Sequence, residues 1–382
     1  MRGARILSPL IVCVAVVLGS LPARTNAQTP GSALRADRGD KRVSVRTEPA
    51  IEVIDAAGRT VRLAKTPERI VVIGKGPHFI LHLLYMFPEG RRRLVGTERR
   101  GKTASEFLDL IDLDFKKKAP LGVAPGPEAI AALHPDLVLG KGSSSERMSE
   151  ALAGLGIPFV YLSLETPEEF FRDASNLGLI LGNETRAAEI LAFYRSRVGR
   201  LRSALSGIAA ERKPHILLAM ATDRGGKVSL QVPAASWMQT IQVRTAGGVP
   251  VWLDAGEKTA GWMIVNLEQI ARWDADKVFI VVWHSNDPQK MLDGFKSDPQ
   301  WKRLKAVRNG QLYAFPSDIF GWDSPDPRWI LGLTWLAAHI HPDVFKGIDM
   351  SAEIRAFYTR LYSLDKTTID GLLLPRIRVD VR

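Results

Sequence analysis

The sequence predicts an α/β protein with two lobes, each built on a mostly parallel sheet, and one long helix that joins them. Short apolar stretches alternate with helical patterns along the chain, which is typical of parallel βα units. Apolar residues recur at helical spacing from 184 to 205, and a helix of this length extends about 33 Å, enough to connect two lobes. Residues 128–139 and 268–279 align without gaps, which indicates that the lobes have a related build.

The first half of the chain gives the pattern of the N-terminal lobe. The stretch IEVIDAAGRTVRL alternates and turns at Ala57-Gly58, as a β-hairpin does. RIVVIGKGPHF is a buried strand that leads into a Gly-Pro loop, and PGPEAIAALHPDLVLGKGSSS contains a short helix, a strand and a second glycine loop. GIPFVYLSLETPEEF leads from a strand into a helix, with Thr166 at the N-cap and Pro167 in the first turn. This helix is predicted to break at Gly182-Asn183, where the long helix follows.

The same pattern restarts in the second half. HILLAM, DKVFIVVWH and QLYAFP are predicted strands, and AASWMQTIQVRTAGG and NLEQIARW are predicted helices. In FGWDSPDPRWILGLTWLAAHI, Ser324 and Asp326 are expected helix caps, so that Trp322 and Asp323 lie at the rim of a cleft. The helix that follows is apolar nearly all round and is predicted to be buried.

The first residues have the pattern of a secretory signal peptide. Arg2 and Arg5 precede an apolar run, and small residues suit cleavage near Ala27, so residues 1–27 are predicted to be removed. A membrane anchor is the alternative, but the run is broken by glycine and proline and is short for a span, which needs about 20 apolar residues. The only cysteine, Cys13, lies in this run, so the mature chain is predicted to have no disulfide and no cysteine-ligated metal.

Composition and pattern divide the rest of the chain. The residues after the signal peptide are polar and without periodicity, which predicts a disordered leader. The predicted segments are the leader at 28–50, the N-terminal lobe at 51–166, a helical linker at 167–206, the C-terminal lobe at 207–365 and a C-terminal tail at 366–382.

The net charge narrows the class of partner. The chain carries 52 Lys and Arg against 41 Asp and Glu, a net charge of +11. Loss of residues 1–27 removes three arginines and no acid, which leaves +8. The basic residues are scattered apart from 91–93 and 116–118, which argues against nucleic acid as a partner. An anionic small ligand or an acidic surface suits this charge better, and solubilising charge is the alternative.

The loops that follow the predicted strands supply the candidate binding residues. In open parallel sheets, the loops at the carboxyl ends of the strands form the ligand crevice. Here these loops and the nearby tryptophans offer cations, hydroxyl groups and flat rings, a set that suits a bulky, anionic ligand. The candidates are Lys75, Pro77, His78, Lys141, Ser143, Ser144, Met220, Arg224, Trp237, Trp262, Trp283, His284 and Trp322.

Three ordered motifs carry a resemblance to a known family. D-x-x-G-R-x-V and P-x-R-I-V are followed by E-x-I-A-x-L-x-P-D-L-V and then by the long helix. Together they resemble the class III periplasmic substrate-binding proteins of ABC importers, the iron–siderophore and cobalamin type, over about residues 51–362. The resemblance implies the helical-backbone periplasmic binding protein fold, with two lobes, one rigid helix and a ligand held between them.

The same resemblance implies the function and the partners. It implies a monomer in the periplasm that binds a metal chelate without catalysis and delivers it to an inner-membrane permease with its ATPase. The ligand expected is a ferric siderophore, with cobalamin or haem as alternatives, and no intrinsic cofactor is expected. In relatives each lobe often offers an acidic residue to the permease, which points to Glu98 and Glu257 here.

Two other functions remain open at this level. A bare metal ion would need several converging ligands, for which the candidates are His78, His82, His134 and His284. A haem iron could be held by His78, by His284 or by a tyrosine. A secreted hydrolase is less favoured, because the chain has no G-x-S-x-G, G-x-x-x-x-G-K-[ST] or H-E-x-x-H motif.

Overall fold

The structure is a computed structural model that describes residues 51–99, 106–142, 145–256, 261–282 and 286–377. The predicted signal peptide, the leader and residues 378–382 lie outside these ranges. The fold is α/β, as predicted. Within the described ranges, none of the helices is both long enough and apolar enough to cross a bilayer.

The N-terminal lobe is built on a five-stranded, wholly parallel sheet. Its strand order is β5-β4-β3-β6-β7, and an antiparallel hairpin of β1 and β2 stands apart from it. The strands are β1 Ile51–Ile54, β2 Thr60–Leu63, β3 Ile70–Gly74, β4 Leu94–Glu98, β5 Ala119–Leu121, β6 Leu137–Lys141 and β7 Phe159–Tyr161. The central strands β3 and β6 are buried on both faces, as parallel strands covered by helices are.

The C-terminal lobe has a mixed sheet with a parallel centre. Its order is β11-β9-β8-β12-β13, and the short β10 pairs with the start of β8. Strands β8, β12 and β13 are parallel, whereas β9 and β11 continue the sheet antiparallel at one edge. The strands are β8 His215–Arg224, β9 Lys227–Val232, β10 Val249–Pro250, β11 Met263–Val265, β12 Lys277–Val282 and β13 Leu312–Ala314.

Helices cover the sheets and connect the lobes. In the first half they are α1 Pro77–Leu84, α2 Pro88–Arg93, α3 Glu106–Ile111, α4 Pro127–Ala131, α5 Ser145–Ala153, α6 Pro167–Leu181 and α7 Glu184–Leu205. In the second half they are α8 Met238–Thr245, α9 Leu253–Gly256, α10 Leu267–Trp273, α11 Pro288–Ser297, α12 Lys305–Arg308, α13 Trp329–Ile340, α14 Met350–Tyr362 and α15 Lys366–Thr368.

The internal alignment corresponds to a repeated structural unit. Asp136 accepts hydrogen bonds from the amides of Glu68 and Arg69, just before β3, and Asp276 accepts one from the amide of His215, which begins β8. The turns that precede these aspartates also match, because His134 (φ 46°) and Asp274 (φ 42°) both adopt the left-handed conformation. The offset of 140 residues therefore relates the two lobes in backbone geometry as well as in sequence.

The long helix α7 extends from one lobe to the other. It covers residues 184–205 as predicted, and α6 ends at Gly182 with φ 70°, a left-handed cap that glycine adopts without strain. Near the N-terminus of α7, Arg186 donates to the carbonyl of Met86 in the N-terminal lobe. At the other end α7 packs against α8 of the C-terminal lobe. The lobes are thus connected by a helix without a break.

A buried polar group, here called the interlobe cluster, joins the lobes through side chains. It comprises His82 from α1 and Asp318, Asp326, Arg328 and Tyr358 from the second half of the chain. The Arg328 guanidinium donates to Asp326 (Nη1 to Oδ1, 2.8 Å) and to Tyr358 (Nε to Oη, 2.9 Å), and its Nε lies 3.0 Å from Asp318 Oδ1. Asp326 also accepts from His82 Nδ1, and Asp318 accepts from Tyr358. One arginine therefore holds two carboxylates at the boundary between the lobes.

Charge compensation within the interlobe cluster sets the ionisation of its members. Although burial would raise the pKa of the Asp326 carboxyl, Arg328 and His82 hold it well below its usual range. Burial lowers the pKa of His82, and its interaction with Asp326 opposes this. A carboxylate only accepts hydrogen bonds, so Nδ1 of His82 carries a proton.

Helix α13 begins later than the sequence suggests. Its N-cap is Arg328, and the predicted cap Asp326 instead accepts from the Arg328 amide and guanidinium. The helix itself is buried, as predicted. A side chain at Gly332 would lie 2.3 Å from the carbonyl oxygen of Trp322, so glycine allows α13 to approach residues 320–323 closely.

Residues 366–376, which the sequence treats as a tail, are helical. A π-helical turn at Ile369–Leu373 follows α15 and buries Ile369 and Leu373 in the main core. Arg376 then forms an ion pair with Glu106 of α3. The end of the described chain therefore packs back against the N-terminal half.

Replacement of Arg328 tests the interlobe cluster. Arg328→Met is expected to lower the free energy of unfolding by about 3–5 kcal/mol, because two buried carboxylates lose their counter-charge. Urea unfolding followed by circular dichroism measures this. Arg62→Met is the control, because Arg62 forms an exposed pair with Glu52 and is expected to cost less than about 1 kcal/mol. Equal losses in the two variants would contradict the role given to Arg328.

Candidate ligand-binding cleft

The carboxyl ends of β3 and β6 form one edge of the candidate site. Strand β3 ends at Gly74, and Lys75 and Gly76 lead directly into α1. A side chain at Gly74 would lie 2.1 Å from the carbonyl oxygen of Lys141, and the Lys75 amide donates to that same oxygen (2.9 Å). The two glycine-lysine-glycine segments are therefore held side by side, as the crevice prediction requires.

His78 lies where the two lobes meet. Its ring is 4.5 Å from that of Phe320 in the second half of the chain and 4.1 Å from that of Phe79 (centroid distances). Neither ring nitrogen of His78 has a hydrogen-bond partner among the described protein atoms. Burial, followed by the neighbouring His82, lowers the pKa of His78 to about 3. The site thus contains a neutral imidazole with an unused lone pair, a group that can accept a hydrogen bond or ligate a metal ion.

The two lysines of this edge have different environments. Lys75 is exposed, and its charge is available at the carboxyl edge of β3. Lys141 is only 5 % exposed, and its Nζ donates to the carbonyl of Ser163 and to Glu165, which is 2.5 Å away. The prediction that Lys141 offers a free cation to the ligand is therefore wrong, because its charge is neutralised within the lobe.

The second lobe contributes a pair of half-buried tryptophans. Trp237 is the N-cap of α8 and Trp262 precedes β11, and their rings meet edge to face with centroids 5.8 Å apart. Gln239, two residues after Trp237, donates to Asp323 (3.2 Å) in the segment that also carries Phe320. The tryptophan pair is thus connected through α8 to the segment that contacts His78.

Several predicted site residues are buried instead of lining a cleft. Trp322 is 0 % exposed and donates from Nε1 to Asp318 (3.2 Å), so the expectation that it faces the ligand is wrong. Pro77 and Met220 are also buried, at the start of α1 and within β8.

Glu98 has a structural role in place of the expected surface one. It is 2 % exposed and accepts from the amides of Gly74 (2.8 Å) and Ala124 (3.0 Å). It therefore fixes the end of β3 and cannot offer its carboxylate to a permease. Five further predicted site residues lie outside the described residues: Ser143, Ser144, Glu257, Trp283 and His284. For Arg224 only the backbone position in β8 is described.

Phe79 and Phe320 contact His78, but nothing in the sequence marks them as site residues. Nothing in the sequence around Phe320 indicates its role, because that role depends on contact with α1, some 240 residues away in the chain. Asp323 is a different case, because the sequence predicts it at an exposed rim. Asp323 is buried, and burial raises the pKa of its carboxyl to about 6. Among the described residues, no group of three or more His, Cys, Asp and Glu side chains is arranged to hold a metal ion.

Comparison with known proteins identifies the family. A family model described as "Periplasmic binding protein" matches residues 100–319, which is more than half of the chain. The chain belongs to the periplasmic binding protein family.

Similar proteins agree with this assignment. The Fe(3+)-citrate-binding protein YfmC of Bacillus subtilis is 23% identical over 316 residues, which cover 82% of this chain and 90% of YfmC. The molybdate-binding protein MolA of Haemophilus influenzae is 23% identical over 254 residues, covering 62% of this chain and 69% of MolA. The crystal structure of the TroA-like periplasmic binding protein FepB from Veillonella parvula superposes with a TM-score of 0.66 at 22% identity, covering 81% and 96% of the two chains.

The family fixes the general role of the protein. It is the substrate-binding component of an ABC importer and works outside the cytoplasm. Its partners are a small-molecule ligand and a membrane permease. Members of this family bind solutes and are not enzymes.

The low pKa of His78 gives a prediction for acid stability. The unfolded imidazole binds its proton near pH 6.5 and the folded one near pH 3, so this contribution to stability is present above pH 6.5 and lost as the pH falls towards 3. The slope is at most about 1.4 kcal/mol per pH unit for one group. In the His78→Phe variant, the free energy of unfolding is expected to change less between pH 6.5 and pH 3. Urea unfolding at several pH values measures this.

Direct titration provides the control for His78. In the folded protein, the His78 imidazole resonances are expected to stay constant in NMR spectra from pH 8 to 5, whereas in urea they titrate near 6.5. A folded-state midpoint above 5 would contradict the neutral imidazole.

The raised pKa of Asp323 makes the stability of the fold depend on pH in the opposite direction. Its carboxyl binds a proton near pH 6 when folded and near 3.8 when unfolded, so this contribution is present below pH 3.8 and lost as the pH rises through 6. Asp323→Asn keeps an acceptor for Gln239 and removes the buried charge. It is expected to raise the unfolding free energy at pH 7.5 by up to about 3 kcal/mol, and to have little effect at pH 4. An equal effect at both pH values would contradict this account.

Proposed function

We propose that this periplasmic binding protein captures a ferric chelate, either a ferric siderophore or ferric citrate, and delivers it to its permease. The observation that carries the proposal is His78, a neutral imidazole with two unpartnered nitrogens between Phe79 and Phe320. Leaving a buried polar group without a partner costs about 1–3 kcal/mol, and a ligand that used this nitrogen would offset the cost.

The surrounding groups suit the same ligand class. Phe79, Phe320 and the Trp237–Trp262 pair offer flat faces for a bulky organic chelator. The exposed Lys75 offers a cation to the net negative charge that such ferric complexes carry. The relative named for Fe(3+)-citrate supports iron as the cargo.

We also infer where the protein acts, its oligomeric state and one of its permease contacts. The protein acts as a monomer in the periplasm after cleavage near Ala27, carries no intrinsic cofactor, and uses Glu257 as an acidic contact for the permease. Cobalamin and haem are the alternative ligands for the same cleft, and a bare metal ion is a further alternative. Native mass spectrometry of protein purified from its own periplasm would distinguish these by the mass of the co-purified ligand.

The tryptophan pair provides the binding test. Trp237→Ala and Trp262→Ala are each expected to weaken binding of ferric citrate or a ferric catecholate by about 1–3 kcal/mol, a factor of roughly 5 to 150 in Kd. Isothermal titration calorimetry gives the affinities, with molybdate, haem and cyanocobalamin as competing ligands. Trp273→Ala is the matched control, since Trp273 is a half-buried tryptophan in α10, at the amino end of β12. Unchanged affinity in both folded variants, or tight binding of molybdate alone, would refute the proposal.

A further inference from the structure

A cavity lies at the end of the C-terminal lobe opposite the candidate cleft. It has a volume of about 410 Å³ and is lined in part by Arg202, Ser206, Lys213, Arg244 and Thr245. Lys213 comes just before β8, and Gly247, also in the lining, precedes β10, so the cavity is at the amino edge of the sheet. The candidate cleft is formed at the carboxyl edge, and the two sites are therefore separate.

Three cations from three chain segments converge on this basic cavity. Arg202 is in the last turn of α7, Arg244 is in the last turn of α8, and Lys213 is in the loop that leads to β8. The lining contains no carboxylate, and none of the three cations forms an ion pair with a described acid.

The buried His341 lies against the wall of the basic cavity. Its Nε2 donates to the carbonyl of Gly247 (3.2 Å) in the cavity wall. Burial lowers its pKa, the bond to Gly247 partly opposes this, and the charges of Lys277 and Lys213 lower it further. The positive charge of the region is thus felt by a neighbouring group.

A purely structural role explains only part of this arrangement. Arg202 and Arg244 lie at the negative C-terminal ends of α7 and α8, and each stabilises its helix by about 0.3–1 kcal/mol. Lys213 belongs to no helix, so the helix dipoles do not account for its place in the cavity wall.

We propose that the basic cavity is a binding site for a phosphate-bearing ligand. Guanidinium and ammonium groups form strong, charge-assisted hydrogen bonds to phosphate oxygens, and the Thr245 hydroxyl is a further donor. The volume falls within the range of about 300–1,000 Å³ that is usual for small-molecule sites. The phosphate belongs either to a free phosphorylated compound or to an anionic lipid headgroup.

The experiment compares two variants that lose the same charge. The cavity variant is Arg202→Gln/Lys213→Gln/Arg244→Gln. The control is Lys116→Gln/Lys296→Gln/Lys302→Gln, at three exposed lysines outside the cavity. Pyrophosphate is the soluble probe, measured by calorimetry at fixed ionic strength, and vesicles of phosphatidylglycerol or phosphatidylcholine are the lipid probe, measured by co-sedimentation.

The proposal predicts at least a tenfold higher Kd for pyrophosphate in the cavity variant and less than a twofold change in the control. Pyrophosphate should also move the NMR resonances of His341 in the wild-type protein.

The vesicle experiment identifies the source of the phosphate. If the wild type binds phosphatidylglycerol vesicles and the cavity variant does not, the source is a lipid headgroup. If the wild type binds pyrophosphate but not the vesicles, the source is a free compound. If the cavity variant does not fold, the single variant Lys213→Gln replaces it, because Lys213 lies outside any helix. This variant must still weaken pyrophosphate binding. No binding by the wild type, or equal loss in the control, overturns the proposal.

Discussion

The buried pairing of Arg328 with Asp318 and Asp326 is the constraint on which the rest of the structure depends. A fully buried guanidinium is tolerated only where carboxylates and further acceptors surround it, and the Tyr358 hydroxyl is such an acceptor. The charged members, Arg328, Asp318 and Asp326, all come from the second half of the chain, and His82 of the first lobe joins them through its hydrogen bond to Asp326. The relative position of the lobes is therefore fixed by this buried hydrogen bond as well as by apolar burial.

This docking determines how the protein can respond to a ligand. Helix α7 connects the lobes without a break, and Tyr194 on it donates to the carbonyl of Pro327 (2.6 Å), next to Arg328. A hinge movement that separated the lobes would expose the interlobe cluster, at a cost of several kcal/mol. We therefore expect closure on the ligand to be small, and a cleft with preformed walls loses little conformational entropy when it binds.

The sequence predicted the features that depend on local pattern. The bounds of α7 and the repeat that contains Asp136 and Asp276 could be found because helical spacing and turn residues are encoded over short stretches. It failed where a side chain is defined by distant partners. Lys141, Glu98 and Trp322 look like exposed polar or aromatic residues, but Glu165, the Gly74 amide and Asp318 hold them inside. Composition alone cannot distinguish a buried, satisfied charge from one that faces a ligand.

The position of the candidate site follows from the same constraint. His78 and His82 occupy one face of α1, with ring centroids 6.0 Å apart, so the unpartnered imidazole lies directly beside the interlobe cluster. His82 is held by Asp326, and Phe320, which contacts His78, is only two residues from Asp318. The cluster thus positions both the N-terminal and the C-terminal contacts of the cleft. A cargo bound at His78 would therefore contact side chains that the interlobe cluster holds in place.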